Sequence, residues 1–247
     1  MRTDPSSTVT PLQRKPFVYI VESPSNFDFL QQRLEGQILE KALSLAQIKT
    51  SHVIATNVET FRIALGDKLL QTWRGIPDSG VPIIHISAHG SSEGIGLTSG
   101  EFLSWDDLAD LLRPINAAIN GILFVCLSSC SGADGCQMAM DERDLPFCAM
   151  VSHRGTPTWS DTTVGFLTFY HLLFKGNRTL DQLVQAMRVA SGDNDFLYLF
   201  ALDSQRVWIE HIEKRKRDEA LARMAEALAG APTAPAEPSA GNSGDGA

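Results

Sequence analysis

The chain has 247 residues, 43% of them hydrophobic and 20% charged, enough for one large α/β domain with a sizeable core. A formal net charge of -8 gives no basic field for nucleic acid, and no stretch reaches the ~20 apolar residues that span a bilayer. Four cysteines (Cys126, Cys130, Cys136, Cys148) make no disulfide framework at this length; with no apolar signal core in "MRTDPSSTVTPLQRKP", they point to a reducing, cytoplasmic setting.

Residues 1–15 are polar and rich in Pro, Ser and Thr, and read as a flexible lead. "FVYIVE" is a first strand. "SNFDFLQQRLEGQILEKALSLAQI" reads as a helix, with Phe29, Leu30, Leu34, Ile38, Leu39 and Leu43 at helical spacing. "SHVIATN" predicts a second strand, and "ETFRIALGDKLLQTW" a helix with Phe61, Leu65, Leu69 and Trp73 on one face. "VPIIHISA" is a third strand, followed by the helix "SWDDLADLLRPI", which Ser104 and Asp107 open in the manner of a capping box. "GILFVCLSS" is a fourth strand and "ADGCQMAMDE" a short helix. "PFCAMVS" is a fifth strand, "SDTTVGFLTFYHLLFKG" and "TLDQLVQAMRVASG" a helical hairpin, and "FLYLFAL" a sixth strand. Apolar strands alternating with amphipathic helices specify an α/β fold, a mostly parallel six-stranded sheet covered on both faces.

Beyond the main domain (16–203), residues 204–229 read as one long helix and 230–247 as a disordered Pro/Ala/Gly tail. The helix's basic run, "EKRKRDE", is flanked by acids and reads as a solvated face. Its Val207, Ile212, Leu221 and Met224 stripe either covers a sheet edge or offers a docking surface.

Two strands end alike, "PIIHISAHG" at His89-Gly90 and "ILFVCLSSCSG" at Cys130-Ser131-Gly132. Ligands of parallel α/β sheets sit at the carboxyl ends of strands. If the two strands are neighbours, about 4.8 Å apart, an imidazole and a thiol there reach one substrate carbonyl. A thiol is activated by a nearby imidazolium or helix N-terminus, and backbone N–H groups of the glycine-rich turns can hold an oxyanion. The plain alternative is a hydrogen-bonded structural histidine and a core cysteine. Zinc is a sharper rival, since His85-x3-His89 and Cys126-x3-Cys130 have ligand-like spacing. Residues i and i+4 of an unbroken strand lie ~13 Å apart, so His85 and Cys126 read as sheet interior instead. No G-x-S-x-G elbow supports a serine hydrolase.

These strand ends resemble those of the caspase-like cysteine peptidases, the group of caspases, separase, gingipains and legumain. Within it the chain is most similar to bacterial CHAT (caspase-HetF-associated) peptidases, through "GIGLTSGEFLSWDDLADLL", "MVSHRGTPTWSDTTVGFLTFYHLLFKGNRTLDQLVQAMRVA" and "NDFLYLFALD", from about Phe17 to Asp203. The family's Trp-Ala in the closing strand is replaced by Leu199-Phe200-Ala201. The resemblance implies a three-layer caspase-like sandwich in which Cys130 is the nucleophile, His89 the base and acid, and the N–H groups of Gly90 and Cys130 the oxyanion hole. It implies a dyad with no cofactor; Glu93 is close enough in sequence to contribute but reads as a solvated turn acid, and no metal is expected.

For the residue before the cut, the family's pocket maps to "ESPSN" and "RGTPTWSD". There Glu22 and Asp161 would select a basic side chain, Arg154 an acidic one and Trp159 an apolar one, with Asp161 alternatively a helix cap. The expected partners are a protein substrate and a regulatory protein that activates the enzyme in bacterial defence or cell death, with no direct nucleic-acid or membrane contact. "HGSSEGIG" and "RGTPTWSDT" are the segments expected to order on activation. The rival reading keeps the fold as a catalytically silent interaction module.

Overall fold

The computed structural model describes residues 15–76 and 79–229; the expected tail and all of the expected lead but Lys15 lie outside them. Six strands form the main sheet: β1 (Lys15–Ser23), β2 (Thr50–Ile54), β3 (Ser79–Ser91), and then, past a β4 (Gly94–Gly96) and β5 (Phe102–Ser104) hairpin, β6 (Phe124–Ser128), β7 (Ala149–His153) and β8 (Phe196–Phe200). Their order is β2-β1-β3-β6-β7-β8, parallel throughout except for antiparallel β8 at the edge. The short β4 pairs with the end of β3, and β5 pairs with β4.

Two apolar layers cover the sheet. On one face α3 (Val58–Ile63), one π-helical turn (Ala64–Lys68), α4 (Leu69–Gly75) and α5 (Trp105–Ala118) bury Phe61, Leu65, Leu69, Leu108 and Leu112 against Tyr19, Ile84, Ile86, Val125 and Leu127. On the other, α2 (Glu35–Leu45), α6 (Trp159–Lys175) and α7 (Leu180–Ser191) bury Leu39, Leu43, Phe166, Phe169 and Leu183 against Val18, Ile20, Ile83, Cys126 and Val151. Alternation along the strands explains the division: odd-numbered residues of β3 and even-numbered residues of β1 and β6 face α2 and α6. His85, Ser87, His89, Cys126, Ser128 and Cys130 therefore belong to one side of the sheet.

The helix expected over "SNFDFLQQRLEGQILEKALSLAQI" is two helices, α1 (Asn26–Leu30) and α2. Gln32 sits in the left-handed region (φ 55°) and Arg33 N–H closes back onto the Asp28 carbonyl at 2.8 Å, a turn that ends α1. The apolar spacing misleads over α1, where Phe29 and Leu30 are exposed. The compact unit runs to Trp208; α8 (Ala201–Ala229) begins in it and continues as a separate helical unit from Ile209, with Leu221 and Met224 exposed.

Candidate active site

Strands β3 and β6 are hydrogen-bonded neighbours, with His85 opposite Cys126 and Ser87 opposite Ser128. Extended beyond that register, they deliver His89 and Cys130 to the same end of the sheet. Both line one cleft of about 410 Å³, with Arg33, Ala88, Ser128, Ser129, Pro157, Thr158, Trp159, Ser160 and Thr162. The volume suits one bound side chain and its flanking backbone.

The chain leaves β6 through a tight turn. Ser131 is left-handed (φ 52°), a conformation costing a non-glycine residue about 1 kcal/mol, and its N–H donates to the Gly155 carbonyl at 2.8 Å. The expected short helix follows, as a 3-10 helix (Gly132–Ala139). Gly90 is required here: a Cβ there would overlap the Cys130 carbonyl oxygen and lie 2.9 Å from the Ser129 Cβ. Gly90 and Cys130, the two residues expected to bind an oxyanion, are thus packed backbone to backbone. The Cys130 N–H has no acceptor among the described residues, whereas the N–H groups of Ser131 and Gly132 are both taken.

His89 is held from two sides. Its Nε2 lies 2.9 Å from Asp28 Oδ2, and its ring meets Trp159 edge-on at 5.4 Å between centroids. Asp28 is buried and also accepts the Ser25 hydroxyl at 2.5 Å. Burial opposes ionisation of this carboxyl, but the hydrogen bonds from Ser25 and His89, the His89 charge and the Trp159 indole outweigh it and hold it below the usual carboxylate range. With Nε2 occupied, Nδ1 is the ring nitrogen left for the cleft. Asp28 was invisible in the sequence because Ser25-x-x-Asp28 reads as an ordinary helix start.

Of the four expected pocket residues, only Trp159 lines the cleft. Glu22 is buried under it, accepting the Gly36 N–H and pairing with His52 at 2.7 Å. Asp161 completes a capping box with Thr158 at the start of α6. Arg154 is exposed, its N–H bound to the Asp195 carbonyl. The cleft takes its charge instead from Arg33, in the turn after α1, which no sequence pattern marked. It takes polarity from Ser128 and Ser129, whose buried hydroxyls have no partner among the described residues. Glu93 is an exposed turn residue. The "HGSSEGIG" segment forms the β3–β4 hairpin, and its Ser92 carbonyl accepts from both Trp105 Nε1 and Gln137 Nε2.

His85 and Cys126 are fully buried below the cleft, His85 Nδ1 meeting the Tyr170 hydroxyl at 2.9 Å. Among the described residues, only His153, Asp193 and Asp195 cluster closely enough to suggest a metal site. Both ring nitrogens of His153 are already used, Nδ1 accepting the Gly155 N–H and Nε2 facing Asp193 at 2.9 Å. That cluster fastens the loop between β7 and α6.

No protein-family model and no curated protein matches the chain. Among solved structures, the fold is similar to a secreted C11 cysteine protease, "iotapain", from Bacteroides thetaiotaomicron, with a TM-score of 0.54 at 9% identity over 77% of this chain and 67% of that one. Caspase-1 from Spodoptera frugiperda aligns with a TM-score of 0.44 at 12% identity, over 72% and 78%. The chain shares with iotapain an α/β sandwich, a mostly parallel sheet covered by helices on both faces.

Proposed function

We propose that the chain is a caspase-like cysteine endopeptidase with Cys130 as nucleophile and His89 as base and acid. The observation that carries the reading is the convergence of these two side chains in one cleft, from adjacent strand ends, with the Gly90 and Cys130 backbones packed together beside them.

In the first step the Cys130 thiol proton passes to His89 Nδ1, and the thiolate attacks the carbonyl carbon of the scissile peptide. The carbonyl oxygen takes the negative charge against the N–H groups of Cys130 and Gly90. Collapse breaks the C–N bond, and Nδ1 returns its proton to the leaving amine. Water, deprotonated at the same nitrogen, then hydrolyses the thioester and frees the thiol.

Arg33 contributes a cationic side chain to the lining, so an acidic residue before the cut is the favoured specificity, with Trp159 and Pro157 supplying apolar contact. On sequence resemblance alone, we place the enzyme with the CHAT peptidases, in a cytoplasmic bacterial defence or cell-death pathway switched by a regulatory protein.

The test is to incubate the purified chain with proteins encoded beside its gene and sequence the new termini, with Cys130→Ala as control. New termini that require Cys130, and labelling of Cys130 by a peptide warhead, are the expected result. If no warhead labels Cys130 under any activating condition and Cys130→Ala keeps the biological activity, the chain is instead a silent interaction module.

A further inference from the structure

Three helices of this chain open alike, with a hydroxyl at the cap and an aspartate three residues on: Ser25/Asp28, Ser104/Asp107 and Thr158/Asp161. In each, the hydroxyl also donates to the carboxylate, at 2.5, 2.7 and 2.6 Å. Capping explains that much and no more. Asp107 is exposed and Asp161 half-buried, and neither meets a histidine, whereas Asp28 is buried and its Oδ2 also meets His89 Nε2.

The orientation of α1 makes the same point. Phe27 (61% exposed), Phe29 (52%) and Leu30 (76%) point outward while the helix buries its single charge, Asp28 (5%). Burying a phenylalanine is favourable by about 2–3 kcal/mol and burying a lone carboxylate is costly, so apolar burial alone would turn this helix over. What holds it in place is the pair of partners of Asp28, Ser25 and His89.

We propose that Asp28 is the positioning residue of His89, so that the working unit is Cys130–His89–Asp28 and not a dyad; this rests on the peptidase reading above. The carboxylate takes the Nε2 proton as a hydrogen bond and so fixes the tautomer that presents an unprotonated Nδ1 to the cleft. When Nδ1 takes the thiol proton, the imidazolium is stabilised by the adjacent negative charge, and Asp28 itself takes up no proton. Trp159 stops the ring from turning away. The other ionisable groups lining this cleft are Arg33 and Cys130.

The test is the rate at which iodoacetamide alkylates Cys130 as a function of pH, followed by mass spectrometry of the tryptic peptide. It compares wild type, His89→Ala, Asp28→Asn, Asp28→Glu and Asp107→Asn, the last controlling for loss of an equivalent cap. A thiolate–imidazolium pair gives wild type a reactive plateau at low pH that His89→Ala lacks. Asp28→Asn is expected to narrow the plateau, moving its alkaline limit down by about 1 pH unit or more. Asp28→Glu should restore part of it, and Asp107→Asn should match wild type. On a cleaved substrate, Asp28→Asn should lower kcat by about 10- to 10³-fold with KM little changed. If wild type keeps its plateau and Asp28→Asn reproduces it within twofold, the positioning role is overturned while the peptidase reading stands. If wild type titrates like His89→Ala, there is no pair for Asp28 to position and the positioning role fails, while cleavage and warhead labelling decide the peptidase reading separately. Melting temperatures of the same proteins identify a variant that has merely unfolded, for which the half-exposed substitute Trp159→Phe, expected to loosen the ring and narrow the plateau less, gives the second reading.

Discussion

The same two residue types meet twice on strands β3 and β6, four residues apart, with opposite fates. At the lower level His85 stands opposite Cys126, both wholly buried; at the upper, His89 and Cys130 emerge into the cleft. Burial pushes the Cys126 thiol up to about 12, beyond any working pH, and the Tyr170 hydroxyl and Phe166 ring immobilise His85. His89 has half its side chain exposed and one nitrogen uncommitted. Access to the cleft here follows from where a strand ends, not from the residue types it carries.

The largest expected effect is on the thiols. Cys130→Ala should abolish peptide cleavage and warhead labelling with little change in melting temperature. Cys126→Ala should leave turnover intact and destabilise the fold by about 1–2 kcal/mol, the loss of a small buried side chain. In the native protein at pH 8, iodoacetamide should modify Cys130 and leave Cys126 untouched until denaturant is added. A Cys126 that reacts in the native state would erase the distinction between the two levels.

The histidines sharpen it. His85→Ala removes a ring with no exposure and takes away the 2.9 Å partner of the Tyr170 hydroxyl, while Glu35, 3.9 Å from His85 Nε2, keeps the Ser87 hydroxyl at 2.6 Å. We expect a loss of about 3–5 kcal/mol by denaturant titration, with the folded fraction still active. His89→Ala should do the reverse, losing activity by orders of magnitude at nearly unchanged stability. Activity lost in folded His85→Ala protein would mean that the buried level takes part in the chemistry.

Alternating apolar strands and helices made the layered sheet legible, and the glycine after His89 and the small residues around Cys130 marked where two strands open. Those signals are local: a strand period, a breaker, a nucleophile. What stayed hidden depends on the path of the chain after β1. The stop at Gln32 divides one periodic stretch in two and brings both Asp28 and Arg33 to the cleft, and neither position has a local pattern that differs from a surface helix start. Glu22 misled for the opposite reason. It stands at the carboxyl end of β1, where ligands are expected, yet the start of α2 covers it, the Gly36 N–H bonds one of its oxygens and His52 lies 2.7 Å from the other.

The smallest effect separates two aspartate–histidine pairs of equal length. His153–Asp193 and His89–Asp28 both measure 2.9 Å, but Nδ1 of His153 is filled by the Gly155 N–H, and Gly155 in turn accepts from Ser131 beside Cys130. The first pair therefore braces the loop after β7, which carries Pro157 and Trp159 into the cleft, and has no nitrogen to offer a substrate. The Asp195 N–H lowers the Asp193 pKa first, burial opposes it, and the His153 hydrogen bond and charge lower it further, to a net downward shift. A carboxyl whose folded pKa lies below the unfolded value of about 3.9 contributes its stability in full above that value and loses it as pH falls through the folded pKa. Asp193→Asn should thus lower the melting temperature by about 1–3 °C at pH 7, with the difference from wild type shrinking below pH 4. Because the loop is also held by Arg154 to the Asp195 carbonyl, kcat should fall no more than a fewfold. A loss as deep as that of Asp28→Asn would show that bracing the Trp159 loop matters to His89 as much as its own carboxylate does.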